Sequence, residues 1–104
     1  MIRKSLSEIL DAPESLPDSW LYLPPGKWTL NTEGVFSEDS SLYPPGSDEY
    51  LPVEVKEEGW IEVLEKQAIE DVVDNVGYQL KAPSLDKLLE AFVYYYENDA
   101  FLEF

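Results

Sequence analysis

The chain has 104 residues, of which 44% are hydrophobic and 13% aromatic, and this apolar content indicates one folded domain rather than a disordered acidic tail. Seven Lys and Arg residues against 22 Asp and Glu residues give a formal net charge of −15 at pH 7. Because nucleic acids and anionic membranes are bound by clustered basic residues, this charge argues against both as ligands and favours a basic protein surface as the partner.

The N-terminal half predicts a short helix followed by strands. Ser5 and Glu8 have the spacing of a capping box, so a first helix should begin there and end near Pro13. Short apolar or alternating segments bounded by Pro and Gly predict strands at 20–23, 27–32 and 34–36. The segment 37–50 is rich in Ser, Pro, Gly and acidic residues and is expected to form a loop.

The C-terminal half predicts mainly helices, from apolar residues at helical spacing and from helix-capping residues. Helices are expected at 52–59, from Ile69 to Leu80 and after an N-cap at Ser84, and strands at 60–65 and 100–104. This order of elements predicts an α+β fold, in which a small antiparallel sheet packs against about three to four helices. The whole chain, residues 1–104, is expected to form a single acidic binding domain.

The large aromatic side chains are interpreted mainly as core residues. The three tryptophans each lie in a predicted strand, at Trp20, Trp28 and Trp60. In the tyrosine run of the last helix, Tyr95 and Tyr96 fall beside the apolar stripe, whereas Tyr94 is expected to be exposed.

Two residue types that commonly perform catalysis are missing from the sequence. It contains no His, the usual general base, and no Cys, the usual thiol nucleophile and zinc ligand. Its five Gly residues are scattered, so it has no phosphate-binding loop of the Walker or Rossmann type. Among 22 acidic residues some pair always resembles a catalytic carboxylate pair, so such a pair is uninformative. We therefore expect a protein that is not an enzyme and binds no cofactor and no metal ion.

The sequence favours a cytoplasmic location. The absence of Cys excludes disulfides and suits a reducing compartment. Residues 1–8 become acidic before the apolar core of a signal peptide could form, and no apolar run approaches the roughly 20 residues that span a bilayer.

The middle of the chain has a local excess of acidic residues. From Glu33 to Asp74 the sequence contains 13 acidic residues, opposed only by Lys56 and Lys66. Acidic surfaces often serve solubility alone, but a net charge of about 2 to 8 is enough for a small domain. Aromatic residues amid polar ones are typical of interface anchors. The predicted partner-binding residues are Glu38, Asp39, Tyr43, Asp48, Glu49, Tyr50, Glu70, Asp71 and Asp74.

Two segments carry a resemblance to a known group of proteins. Pro24–Leu30 (PPGKWTL) and Ser84–Phe101 (SLDKLLEAFVYYYENDAF) are similar to a bacterial family of small acidic proteins, the immunity proteins of contact-dependent growth inhibition, or polymorphic toxin, systems. The resemblance spans most of the chain and rests on packing and turn residues. It implies that the chain binds and blocks the toxic C-terminal domain of a secreted or surface-delivered effector, often a nuclease. It assigns no individual binding residues.

Three other interpretations stay open at this point. A nucleic-acid mimic that inhibits a host or phage defence enzyme would be favoured by regularly spaced carboxylates, and the acidic residues here are less ordered than that. An enzyme using carboxylates would show a pH-dependent activity that one Asp or Glu substitution abolishes. A non-catalytic subunit of a larger complex is not distinguished from an immunity protein by the sequence.

Overall fold

The structure, a computed structural model, describes residues 3–37, 44 and 53–104. The strands of the described residues are β1 (Arg3–Ser5), β2 (Trp20–Leu23), β3 (Glu33–Phe36) and β4 (Ile61–Glu65). They form one antiparallel sheet in the order β1-β3-β2-β4. The helices of the described residues are α1 (Leu6–Asp11), α2 (Val53–Glu58), α3 (Lys66–Gln79) and α4 (Leu85–Asn98), with a 3-10 turn at Pro13–Ser15. The predicted α+β fold is confirmed, although no sequence pattern indicates β1.

The first helix begins at the predicted capping box. The backbone N–H of Ser5 donates to Glu8 Oε1 at 3.0 Å, and the backbone N–H of Glu8 donates to Ser5 Oγ at 3.3 Å. The Ser5 hydroxyl is also 3.0 Å from the same carboxylate oxygen. Two hydrogen bonds from Ser5 hold the pKa of the Glu8 carboxyl below its usual range, because both favour the ionised form. The bond from the backbone N–H has the larger effect and the bond from the hydroxyl the smaller one.

The strand predicted at 27–32 is wrong. The N–H of Thr29 donates to Thr32 Oγ1 at 2.8 Å, and the N–H of Thr32 donates to the Thr29 carbonyl at 3.0 Å, which closes a turn. Such side-chain bonds compete with a strand ladder. The carbonyl oxygens of Leu30 and Thr32 then accept the first two N–H groups of α1, at 3.0 and 2.9 Å. This segment therefore completes the N-terminus of α1.

The helix-facing side of the sheet forms the core together with α1, α3 and α4. Leu21 and Leu23 of β2 are fully buried there, opposite Phe36, Leu64 and other apolar side chains. Gly34 lies directly beneath these two leucines. A Cβ atom at Gly34 would lie 2.6 Å from Leu21 Cδ1 and 2.8 Å from Leu23 Cδ2, so only glycine fits in this register.

A bulge shapes the edge strand β4. Leu21 pairs with Leu64 and Tyr22 pairs with Glu62, which leaves Val63 as an extra residue. As a result, Val63 and Leu64 both belong to the core cluster. Ile61, opposite Leu23, is then on the core side of the strand and only half-buried.

The other side of the sheet is also covered. Tyr22 is 3% exposed and its neighbour Val35 is 1% exposed, although neither belongs to the core cluster. The Tyr22 hydroxyl donates to Glu62 Oε2 at 3.1 Å. The guanidinium carbon of Arg3 lies 5.5 Å from the ring centroid of Trp60, on this same side.

The tryptophans are less buried than predicted. Trp28 and Trp60 are half-buried, and Trp20, the first residue of β2, is 40% exposed. Tyr94 is exposed as predicted, and Tyr96 is equally exposed at 38%, so its assignment to the core is wrong. Both lie in the last two turns of α4.

The predicted terminal strand at 100–104 is also wrong. Asp99 ends α4 in the left-handed conformation, with φ 52°, and the chain turns back along the helix. Its anchor is the Gln79 side chain, which donates to the Leu102 carbonyl at 2.8 Å and accepts from the Phe104 N–H at 2.9 Å. Side-chain bonds replace a strand ladder here. None of the helices in the described part of the chain is long and apolar enough to cross a membrane.

Candidate partner-binding groove

Most of the predicted partner-binding residues lie outside the part of the chain that the structure describes. These are six of the nine, namely Glu38, Asp39, Tyr43, Asp48, Glu49 and Tyr50. The other three lie on α3, where Asp71 and Asp74 are exposed and Glu70 is half-buried.

The acidic residues of α3 lie on its solvent side. Lys66 Nζ is 3.6 Å from Glu70 Oε1, and Gln67 Nε2 donates to Asp71 Oδ1 at 3.0 Å. Both pairs have the i,i+4 spacing that supports an exposed helix by a few tenths of a kcal/mol, about 0.2–0.5 each. These contacts stabilise α3 locally and leave its outer surface negatively charged.

The acidic character extends over the described surface. Every acidic side chain that the structure describes is exposed except the half-buried Glu70. In the described ranges, no polar or charged residue is fully buried, and no group of three or more acidic residues is arranged to hold a metal ion. Together the exposed carboxylates give the described surface a negative potential.

An apolar groove of about 600 Å³ opens between α4, β4 and the segment before the Thr29–Thr32 turn. Its floor consists of aromatic and aliphatic side chains, which are Trp28, Ile61, Leu89, Val93 and Tyr96. Its rim consists of charged side chains, which are Lys27, Asp86, Glu90 and Glu97. The groove thus combines an apolar floor with three carboxylates and one ammonium group.

Helix α4 presents this surface because it has two apolar stripes. One stripe, Leu88, Ala91 and Phe92, is buried in the core. The second stripe, at Leu89, Val93 and Tyr96, lies beside it and is flanked by acidic residues at i and i+4 spacing. The Ser84 hydroxyl begins the helix by accepting the Lys87 N–H at 3.3 Å.

Trp28 links the floor of the groove to the core. Its indole N–H donates to the Pro24 carbonyl at 2.7 Å, which fixes the ring. The ring centroid is 6.1 Å from that of Phe92 in an edge-on arrangement, and 5.2 Å from that of Tyr96 at an interplanar angle of 56°. Gly26, at φ 111°, supplies the turn that brings the indole back toward α4.

The groove rim is electrostatically negative. Glu90 Oε2 is 3.8 Å from Lys87 Nζ, and both side chains are more than half exposed. This ion pair is therefore weak, and Glu90 can pair with a cation of a partner instead. Glu97 lies in the last turn of α4, which contains no basic residue. Because the C-terminal end of a helix is itself negative, Glu97 increases the negative potential at that end of the groove.

Sequence reasoning missed the groove. The spacing of Asp86, Leu89, Glu90, Val93, Tyr96 and Glu97 on one side of α4 was a detectable signal, since it repeats at three and four residues beside the core stripe. The approach of Trp28 to Tyr96 was not detectable, because the alternation of the 27–32 segment predicts a strand there.

Residues 1–104 match the family described as a domain of unknown function, DUF7716, and the chain belongs to that family. No curated protein and no solved structure matches the chain.

Proposed function

We propose that this DUF7716 protein is an immunity protein, which binds the toxic domain of a polymorphic toxin, of the nuclease class, in the cytoplasm and neutralises it by stoichiometric contact. The observation that supports this most is the groove, whose apolar floor and carboxylate rim are exposed on a domain of net charge −15. The resemblance of Pro24–Leu30 and Ser84–Phe101 to immunity proteins supports it independently, and both segments contribute residues to the groove.

The groove has the anatomy of a protein interface. Protein interfaces have an apolar, aromatic-rich centre and a polar rim, and their energetic hot spots are enriched in Trp and Tyr. Trp28 and Tyr96 occupy the floor, and Asp86, Glu90 and Glu97 surround it. Burial of this floor by a partner would supply affinity, while the rim would select a partner of opposite charge.

The overall charge fits a nuclease as the target. Enzymes that act on nucleic acids carry basic clefts, because they neutralise phosphates with Lys and Arg. A folded polyanion attracts such a cleft at long range and raises the association rate toward about 10⁸–10⁹ M⁻¹s⁻¹ at low salt. The exposed acidic residues of α3, Asp71 and Asp74, would contribute to this attraction.

The proposal is tested by capture of the partner. The tagged protein is recovered from its own cells with low-salt washing, and bound proteins are identified by mass spectrometry. The expected result is one basic toxin-like domain in equimolar amount, which purified protein then inhibits. Recovery of a resident nucleic-acid enzyme instead would favour the nucleic-acid mimic, and a recovered domain that keeps full activity would overturn the proposal.

A further inference from the structure

We infer that the groove receives an arginine side chain of the partner, with apolar residues on either side of it. The inference rests on the proposed function in one respect only, namely that the partner is a protein. It names the chemistry that this particular surface recognises.

The two aromatic rings and the carboxylates together select for a guanidinium group. Trp28 and Tyr96 meet at 56°, and Tyr96 is 38% exposed, so its ring is accessible at one end of the floor. Glu97 adjoins Tyr96 on the same end of α4. A guanidinium stacks on an aromatic ring and pairs with a carboxylate through its fork of N–H groups, whereas an ammonium is a compact and more strongly hydrated charge.

The aliphatic part of the groove accommodates the stem of the same side chain. Arginine buries its methylene groups along apolar surface while its charged end stays at a polar rim. Leu89, Val93 and Ile61 form such a surface in the floor of the groove. Apolar residues two positions before and after the arginine share its face of an extended segment and would cover the remainder of the floor.

Charge complementarity disfavours this chain itself as the occupant. A second copy would bring another net charge of −15 to a rim that is already negative. The chain's own segment 37–52 contains four acidic residues and no Lys or Arg, so its composition does not match the rim either. The matching occupant is a basic segment of a different protein.

The dimensions of the rim fix the length of a suitable probe. Asp86 and Glu97 are 11 positions apart on α4, which is about 16 Å along the helix axis. An extended segment of about five residues covers this distance. The probe is therefore a capped Leu-Ala-Arg-Ala-Leu peptide, whose two leucines and one arginine share a face of the extended chain, and the matched control is the same peptide with Lys in place of Arg.

The test is an NMR titration of the full chain with the two peptides, followed through the indole N–H of Trp28 and the backbone amides of α4. The expected result is a shift of these signals at saturable peptide concentration, with affinity for the Arg peptide about two- to fivefold higher than for the Lys peptide. Equal affinities, or shifts that bypass Trp28 and α4, would overturn the inference.

Two double variants distinguish binding in the groove from attraction by the net charge of the protein. Glu90→Gln with Glu97→Gln should weaken Arg-peptide binding about threefold or more. Asp71→Asn with Asp74→Asn removes the same charge from the exposed surface of α3 and should weaken it clearly less. Equal losses in the two double variants would mean that the peptide senses only net charge, and the groove assignment would be rejected.

This titration is independent of partner capture. If the peptide fails while a basic toxin domain is captured and inhibited, the proposed function stands and the groove is not its anchor. If the peptide binds as described while no toxin domain is inhibited, the groove assignment stands and the immunity function is rejected.

Discussion

The ring of Trp28 lies 5.2 Å from the ring of Tyr96, centroid to centroid, so the segment before the Thr29–Thr32 turn and the last turns of α4 together form one part of the groove floor. Trp28 also contacts Phe92 of the core, whereas Tyr96 is 38% exposed. This pair therefore links the packed interior to the surface that we propose for partner binding.

Removal of the Tyr96 ring should weaken partner binding without unfolding the domain. We expect Tyr96→Ser to lower affinity for the captured partner at least about tenfold, since aromatic anchors at interfaces contribute about 2 kcal/mol or more. The matched control is Tyr94→Ser, because Tyr94 has the same 38% exposure on the same helix and does not line the groove. Calorimetric titration measures the affinity of both variants for the partner. Equal losses of affinity at the two positions would contradict the groove interface.

Gly34 should tolerate no side chain. In Gly34→Ala the new methyl group meets the side chains of Leu21 and Leu23 at less than 3 Å, as well as the Tyr22 carbonyl oxygen at 3.2 Å. We expect the free energy of unfolding to fall by about 1–3 kcal/mol, as for overpacked cores.

The matched control for that variant lies in α3. A methyl group at Gly77 would meet no atom of another element within 4 Å, so Gly77→Ala should raise the free energy of unfolding by about 0.5–1 kcal/mol through helix propensity. Urea denaturation measures both variants. Neutrality of Gly34→Ala would contradict the register of β2 and β3, and destabilisation by Gly77→Ala would contradict the open helical position of Gly77.

Glu97 should lower the free energy of unfolding while it contributes negative charge to the groove rim. The last turn of α4 has no basic residue, and Glu97 lies near the negative end of the helix. Glu97→Lys should raise the free energy of unfolding by about 0.3–1 kcal/mol and also reduce the self-repulsion of a −15 chain. The same variant should weaken partner binding. Thermal denaturation measures its stability and partner titration its affinity, on one preparation. Tighter binding by the variant would contradict the role of the acidic rim.

The capping box should make part of the stability depend on pH. Hydrogen bonds from Ser5 lower the folded-state pKa of Glu8, so the ionised carboxylate stabilises the fold at neutral pH. A lowered folded pKa means that this contribution is complete above the ordinary carboxyl pKa and is lost as the pH falls through the lowered value. The stability difference between the native chain and Glu8→Gln should therefore shrink in acid. Urea denaturation across that pH range tests this, and a difference that grows in acid would contradict it.

The parts of the fold that depend on local chemistry were predictable. The Ser5–Glu8 box, the Ser84 cap and the apolar spacing of α3 and α4 each determine an element through neighbours in sequence. The 27–32 segment was mispredicted because its alternation imitates a strand, while its Thr29–Thr32 bonds and its contacts with α1 are formed only in the folded chain. The groove escaped prediction for the same reason, since Trp28 reaches α4 through that segment.

The most direct test of the immunity proposal is a titration of the captured toxin domain's catalytic activity with increasing amounts of this protein. The proposal predicts a linear loss of activity that reaches zero at one molar equivalent. Full activity in the presence of excess protein, under conditions in which the complex forms, would contradict it.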